Sequence, residues 1–150
     1  MLAYYGSNVR FDSWDISKTK EFGYHFSLEN PADSIHRISK FGGYVYEVDV
    51  SWKDAVKMRD PFFWNLHAIL TQLGKRDQYE PLKSLAAQRA KKNGSSLRSE
   101  ENLIAAESLT KMGFDAILYE NEAEDGGSVA ILWRSEQIKV LSVSQFFHTN

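Results

Sequence analysis

The chain has no cysteine among its 150 residues. That removes disulfides, thiolate zinc sites and cysteine nucleophiles together, and it suits a reducing cytosol. Proline is scarce, at three residues, so each one punctuates the chain at a definite place. No apolar run approaches the roughly 20 residues that a membrane span needs, and the opening Met1-Leu2-Ala3-Tyr4-Tyr5 lacks the charged and apolar regions of a secretion signal. A soluble, cytoplasmic protein that meets no membrane is therefore expected. Charge of one sign is also lacking: the net charge is -2 and the pI about 6.1. Without a long-range basic field, nonspecific nucleic-acid binding is not the expected main function, although a local basic patch is compatible with it. The phosphate-binding loop G-x-x-x-x-G-K-[ST], the dinucleotide fingerprint G-x-G-x-x-G, the nucleophile elbow G-x-S-x-G and the zinc motif H-E-x-x-H are all absent. His25, His36, His67 and His148 stand far apart, with no i, i+4 pair to hold a metal on a helix, so no metal is expected.

What is present fits one core of ordinary size, hence a single domain over 1–150. Leu2 to Gly6 reads as a strand that ends in a turn, and Phe11 to Ile16 as a helical turn or an ordered loop. Phe22 to Ser27 reads as a second strand, rich in aromatics around Gly23, where flat surfaces can come close to the backbone. Asn30-Pro31 gives an N-cap followed by proline at the first helical position, and Ile35, Ile38 and Phe41 supply an apolar face up to Gly42-Gly43. Tyr44 to Val50 alternates as a strand, with Tyr44, Tyr46, Val48 and Val50 on one face. Asp60-Pro61 repeats the cap-and-proline device before a helix through Phe62, Leu66, Ile69, Leu70 and Leu73, closed by Gly74. Two further helices follow, one opened by Pro81 and one capped near Ser99. The apolar runs Phe114 to Tyr119, Val129 to Trp133 and Ile138 to Val143 complete the strands, with the acidic loop Glu120 to Ser128 between the first two. This order of elements predicts an α+β domain with largely antiparallel sheets.

Three segments stand out together: Tyr4-Tyr5-Gly6-Ser7; Gly23-Tyr24-His25-Phe26-Ser27; and Gly113-Phe114-Asp115-Ala116-Ile117 with Glu136-Gln137-Ile138-Lys139 behind it. In this order the set resembles the ADP-ribosyltransferase fold over nearly the whole chain, specifically the small versions in phage and mobile-element polyvalent proteins, and more distantly the poly-ADP-ribose polymerase catalytic domain. The resemblance implies a split pair of mainly antiparallel sheets with an inserted helical region. It further implies NAD as co-substrate and a protein or nucleic-acid acceptor, with a phage origin and a bacterial host cytoplasm as the setting. In that family a His-Gly-Ser or His-Gly-Thr strand holds the nicotinamide amide and a ribose hydroxyl, which corresponds here to Tyr5, Gly6 and Ser7. A glycine strand ending Tyr-Phe-Ala or Tyr-Phe-Thr stacks on nicotinamide, which corresponds to His25, Phe26 and Ser27. The expected site thus has Tyr5 and His25 as catalytic residues facing each other across a cleft, with Gly6, Ser7, Phe26 and Ser27 lining it.

The family's glutamate, eight residues before a Gln-Ile or Gln-Val pair, falls on Val129. A valine cannot stabilise an oxocarbenium-like transition state, and loss of such a group typically costs ~10²- to 10³-fold in rate. Three alternatives follow. Glu122, Glu124 or Asp125 swings in from the preceding loop, with Asp125 the assigned catalytic acid; the acceptor supplies its own activation; or the domain binds NAD or ADP-ribose, or a protein or nucleic-acid partner, and is catalytically silent. Each residue also has a plainer reading: Gly6 as a turn glycine, Tyr5 as a core aromatic, His25 as a hydrogen-bonded strand histidine, and Glu120 to Asp125 as a solvated hairpin loop. Likewise Arg89, Lys91, Lys92 and Arg98 read either as a solvated helix junction or as a contact for an acidic or nucleic-acid target. Gln137 is expected to bond backbone groups and fix the sheet.

Overall fold

A computed structural model describes residues 1–28, 43–121 and 127–146. Among these, seven strands form one mixed sheet: β1 (Leu2–Ser7), β2 (Tyr24–Ser27), β3 (Gly43–Val50), β4 (Ala55–Lys57), β5 (Ala116–Glu120), β6 (Ser128–Leu132) and β7 (Ile138–Phe146), in the order β4-β5-β6-β2-β1-β3-β7. The chain is therefore α+β, and the split pair of sheets that the resemblance implies is corrected: the strands form one continuous sheet, joined through the Tyr4↔Ser27 pair. The pairing is uneven along that order. β1 runs against β3 for six residues and β3 against β7 for nearly its whole length, while β2, β6 and β5 pair in register on the other side. Between the two groups, β1 and β2 share a single pair, Tyr4↔Ser27.

Six of the seven strands pair antiparallel, as the alternating patterns predict. The exception is β4, a three-residue strand that lies parallel to β5 through Ala55↔Ala116 and its neighbours. Parallel neighbours need a long crossover, which is supplied here by α1 (Leu66–Gln72), α2 (Tyr79–Asn93) and α3 (Leu97–Lys111). Asp115 ties down the start of β4, its two carboxylate oxygens accepting from the Lys53 and Asp54 amides at 2.8 and 2.7 Å. The Gln137 side chain bonds backbone as expected, donating to the Asp115 carbonyl at 2.7 Å.

Helix α1 starts later than Asp60-Pro61 suggests. Asp60 accepts from the Phe62 amide at 2.9 Å in a local turn, and Phe62 itself sits at φ 70°, which no helix admits. Asn65 is the true cap, accepting from the Ala68 amide. Helix α2 ends at Gly94 in the left-handed region at φ 66°, and the side chain of Ser96 caps α3 by accepting from the Ser99 amide. The expected helix over 30–41 lies outside the described residues.

Phe22, Phe26, Trp64, Leu66, Ile69, Leu70, Ile104, Leu109, Ile117, Ile131 and Leu132 are almost wholly removed from solvent. Gly23 makes their packing possible: its φ is 74°, and a Cβ there would stand 2.5 Å from Ile131 Cγ2 and 3.1 Å from the Leu132 carbonyl oxygen. Both the conformation and the space forbid a side chain. Gly23→Ala is expected to destabilise the fold by about 2 kcal/mol through strain and overpacking. Urea unfolding checks this, and a midpoint equal to the wild type's would show that the strand end adapts freely.

Candidate functional site

Pleat parity decides which side chains can meet. Because successive residues of a strand point to opposite faces, the pairs Tyr4↔Ser27, Tyr5↔Tyr46 and Phe26↔Ala130 put Tyr5, Tyr24, Phe26 and Tyr46 on one face of the sheet. The rings bear this out: Tyr5 lies 5.5 Å from Tyr24, 5.7 Å from Phe26 and 6.3 Å from Tyr46 between centroids. The loop after β1 adds two more. Phe11 stacks on Tyr46 at 4.6 Å and Trp14 meets Tyr24 edge-on at 4.7 Å.

Two tyrosine hydroxyls clip that loop in place. Tyr46 Oη accepts from the Phe11 amide at 2.7 Å and donates to the Phe11 carbonyl at 3.1 Å. Tyr24 Oη treats Asp15 in the same way, at 2.9 and 3.1 Å. Tyr24, Phe26 and Tyr46 are buried, whereas Tyr5, Phe11 and Trp14 keep part of their surface in solvent. Burial, with Tyr24 and Tyr46 close by, pushes the Tyr5 hydroxyl up to about 12. At neutral pH it stays protonated and can hydrogen-bond but not act as a base.

His25 faces the other way. Its ring lies beside Tyr119 and Trp64, at centroid distances of 5.7 and 6.1 Å. Nε2 is 3.0 Å from the Phe22 carbonyl, which can only accept, so Nε2 carries the proton and Nδ1 accepts from the Tyr119 hydroxyl at 2.8 Å. Desolvation lowers its pKa from 6.5 to about 4, against the pull of the Phe22 carbonyl and Asp60. The expected arrangement of Tyr5 and His25 across one cleft is therefore corrected: they stand on opposite faces, and both nitrogens of the imidazole are engaged inside the protein. The lining set divides in the same way, with Tyr5, Ser7 and Phe26 on the aromatic face and Gly6, His25 and Ser27 behind it.

Val129 pairs with Ser27 on one side and Tyr119 on the other, is 5% exposed, and shares the His25 face. The neighbouring position behaves differently. Ser128 pairs with Glu120, its Oγ donating to Glu120 Oε1 at 2.7 Å, and register puts both on the aromatic face. The Ser128 carbonyl also accepts from Leu28 just past the end of β2, and Asn121 bonds Gly127 to close the base of the acidic loop. Asp125, with Glu122 and Glu124, lies outside the described residues. Glu120 is thus a described carboxylate on the same face as Tyr5. In the sequence Glu120 stands at the head of the acidic run to Asp125, and its place two residues after Leu118 on β5 is what puts it on the aromatic face.

No family model matches the chain, and no curated protein does. Among solved structures it is similar to one described as "Crystal structure of an anti-CRISPR protein", at 11% identity and a TM-score of 0.42 over 97% of this chain and 95% of that one. So slight a likeness carries no functional argument. No group of three or more metal-ligating side chains occurs among the described residues, and no helix among them is long and apolar enough to cross a membrane.

The state of His25 has a measurable consequence. Unfolded, it titrates near 6.5; folded, near 4. Between those values the unfolded chain binds more protons, so stability falls as pH drops through this window, by roughly 3 kcal/mol for the full shift. His25→Gln is expected to be less stable at pH 7.5 but to lose less on acidification from 6.5 to 4. Urea melts of both proteins across that range check it, and parallel pH profiles would show that His25 does not fold neutral.

Proposed function

We propose that this chain is an ADP-ribosyltransferase-type domain that takes NAD as co-substrate and moves ADP-ribose to a macromolecular acceptor, releasing nicotinamide, in a reducing cytosol. One observation carries the reading. The three positions that the resemblance assigns to the site, Tyr5, His25 and Val129, lie far apart in the sequence, yet their strands β1, β2 and β6 are adjacent, with Val129 opposite Ser27 and Ser27 opposite Tyr4; the segments Gly113 to Ile117 and Glu136 to Lys139 fall instead at β5 and at the far edge, β7. On the aromatic face, the half-buried rings of Tyr5, Phe11 and Trp14 offer flat surface for a pyridinium ring, and Glu120, three strands from Tyr5 on β5, puts a negative charge on the same face.

In the proposed reaction the bond between ribose C1′ and the nicotinamide nitrogen breaks, and its electron pair leaves with nicotinamide. The acceptor's nucleophile then bonds C1′ and gives up its proton. Charge develops on the ribose as the bond breaks, so a carboxylate fixed beside it lowers the barrier. Glu120, held by Ser128, is proposed for that role in place of the family's glutamate, and Asp125 is its rival from the loop. Val129 points to the opposite face, so Val129→Glu would bury a charge beside Tyr119 instead of restoring the site.

A second reading has its own support: the family's glutamate position is a buried valine, which favours a silent module that binds NAD or ADP-ribose without transfer. Labelled NAD incubated with the protein and host lysate separates the two. The enzyme reading expects released nicotinamide and transferred label, with Glu120→Gln reducing both by about 10²- to 10³-fold and Asp125→Asn leaving them near wild type. An unchanged Glu120→Gln rate would remove Glu120 from the chemistry. Calorimetric binding without turnover would favour the silent module, and a folded protein that neither binds nor turns over NAD would end both readings.

A further inference from the structure

Residues 81–99 contain five cations, Lys83, Arg89, Lys91, Lys92 and Arg98, and no acid, in a chain whose net charge is -2. They cover most of α2, its turn and the start of α3. Arg89 is paired with Glu107 at 2.9 Å, and the Lys83 ammonium lies over the Tyr79 ring at 5.8 Å from its centroid. Lys91, Lys92 and Arg98 are exposed, and no acid among the described residues pairs with them. The one carboxylate beneath the turn, Glu100, is 4% exposed and turned inward, accepting from Asn93 Nδ2 and Ser95 Oγ at 3.3 and 2.7 Å. The turn is also fixed: Gly94 ends α2, its amide bonding the Ala90 carbonyl, and Ser96 opens α3. Three cations are therefore held around one ordered helix-to-helix turn.

Lysines in the last turn of a helix favour its dipole, which accounts for Lys91 and Lys92 in part. It does not account for Arg98, which stands in the first turn of α3, the end where a cation is disfavoured. We infer that the α2–α3 turn is a docking surface for the phosphate backbone of a nucleic acid, with Lys91, Lys92 and Arg98 as its contacts. The chemistry of the turn selects this partner over an acidic protein. Protein interfaces centre on aromatic or large apolar anchors, and the stretch from Lys83 to Arg98 holds no aromatic residue. Its exposed polar side chains are of the lysine, arginine, serine, asparagine and glutamine types that contact phosphate oxygens, and the large apolar side chain exposed there, Leu97 at 39%, stands singly among them. With no aromatic to stack on bases, the binding is backbone-directed and independent of sequence. This inference rests on the turn alone and stands apart from the NAD reading.

The test is fluorescence anisotropy of a labelled 20-base-pair duplex DNA with the full chain, from 20 to 200 mM salt. The expected result is binding that weakens with salt at a log–log slope of about -3, one unit for each phosphate neutralised. Each single change to glutamine at Lys91, Lys92 or Arg98 should reduce that slope by about one. Lys91→Glu/Lys92→Glu/Arg98→Glu should abolish binding and leave thermal melting within a few degrees of wild type; should it unfold, the three glutamine variants carry the test. Labelled poly-glutamate is the comparator. Equal affinity for poly-glutamate and DNA would point to an acidic protein partner instead, and no salt-dependent DNA binding at 20 mM would overturn the inference.

Discussion

One backbone pair, Tyr4↔Ser27, joins the two groups of strands, so the ladder alone cannot hold the sheet together at that junction. The rings do. Tyr5 from β1, Tyr24 and Phe26 from β2 and Tyr46 from β3 pack across the join, at about 0.5–1.5 kcal/mol for each good aromatic pair beyond the area buried. Two of the four carry hydroxyls that reach past the core and fix the loop bearing Phe11 and Trp14. A phenylalanine at either position would fill the same space and leave the loop untethered. The junction thus needs aromatic mass for cohesion and phenolic oxygen for order, and tyrosine supplies both.

That requirement explains what could be read in advance. Strands with one buried face announce themselves by alternation, and Tyr44 to Val50 is one such. Helix stops marked by glycine were equally legible, because Gly94 does locally what a left-handed cap must do. Asp60-Pro61 misled for an equally local reason: the same two residues open a helix or a tight turn, and Phe62 at positive φ selects the turn. β4 left no trace. Three residues are too few for periodicity, and its place is set by Asp115, 62 and 61 residues beyond the Lys53 and Asp54 amides it accepts from.

The candidate site was legible by segment and not by face. The resemblance pointed to positions on β1, β2 and β6, which are neighbours, and to segments at β5 and at β7, the far edge; a strand's side chains alternate, and an offset of one residue moves every one of them through the sheet. Assigning Tyr5 and His25 to one cleft required the register between β1 and β2. That register is long-range information, held in one pair and in the cluster built on it. With it, His25 joins Tyr119 and Trp64 in the interior, and the position beside Val129, not Val129 itself, comes to share a face with Tyr5.

Net charge hides structure in the same way. A total of -2 describes the far field, yet at physiological salt a charge is felt over only about 8 Å. Helix α2 alone, at 15 residues, spans about 22 Å by its rise. Acids more than a Debye length from its C-terminal turn cannot cancel the field there, and Glu107 and Glu100 are engaged by Arg89 and the turn's own donors. What a partner meets at Lys91, Lys92 and Arg98 is therefore local cation density, while the acids of Glu120 to Asp125 belong to a different part of the chain. A chain that is nearly neutral on average thus carries a concentrated positive charge at the α2–α3 turn.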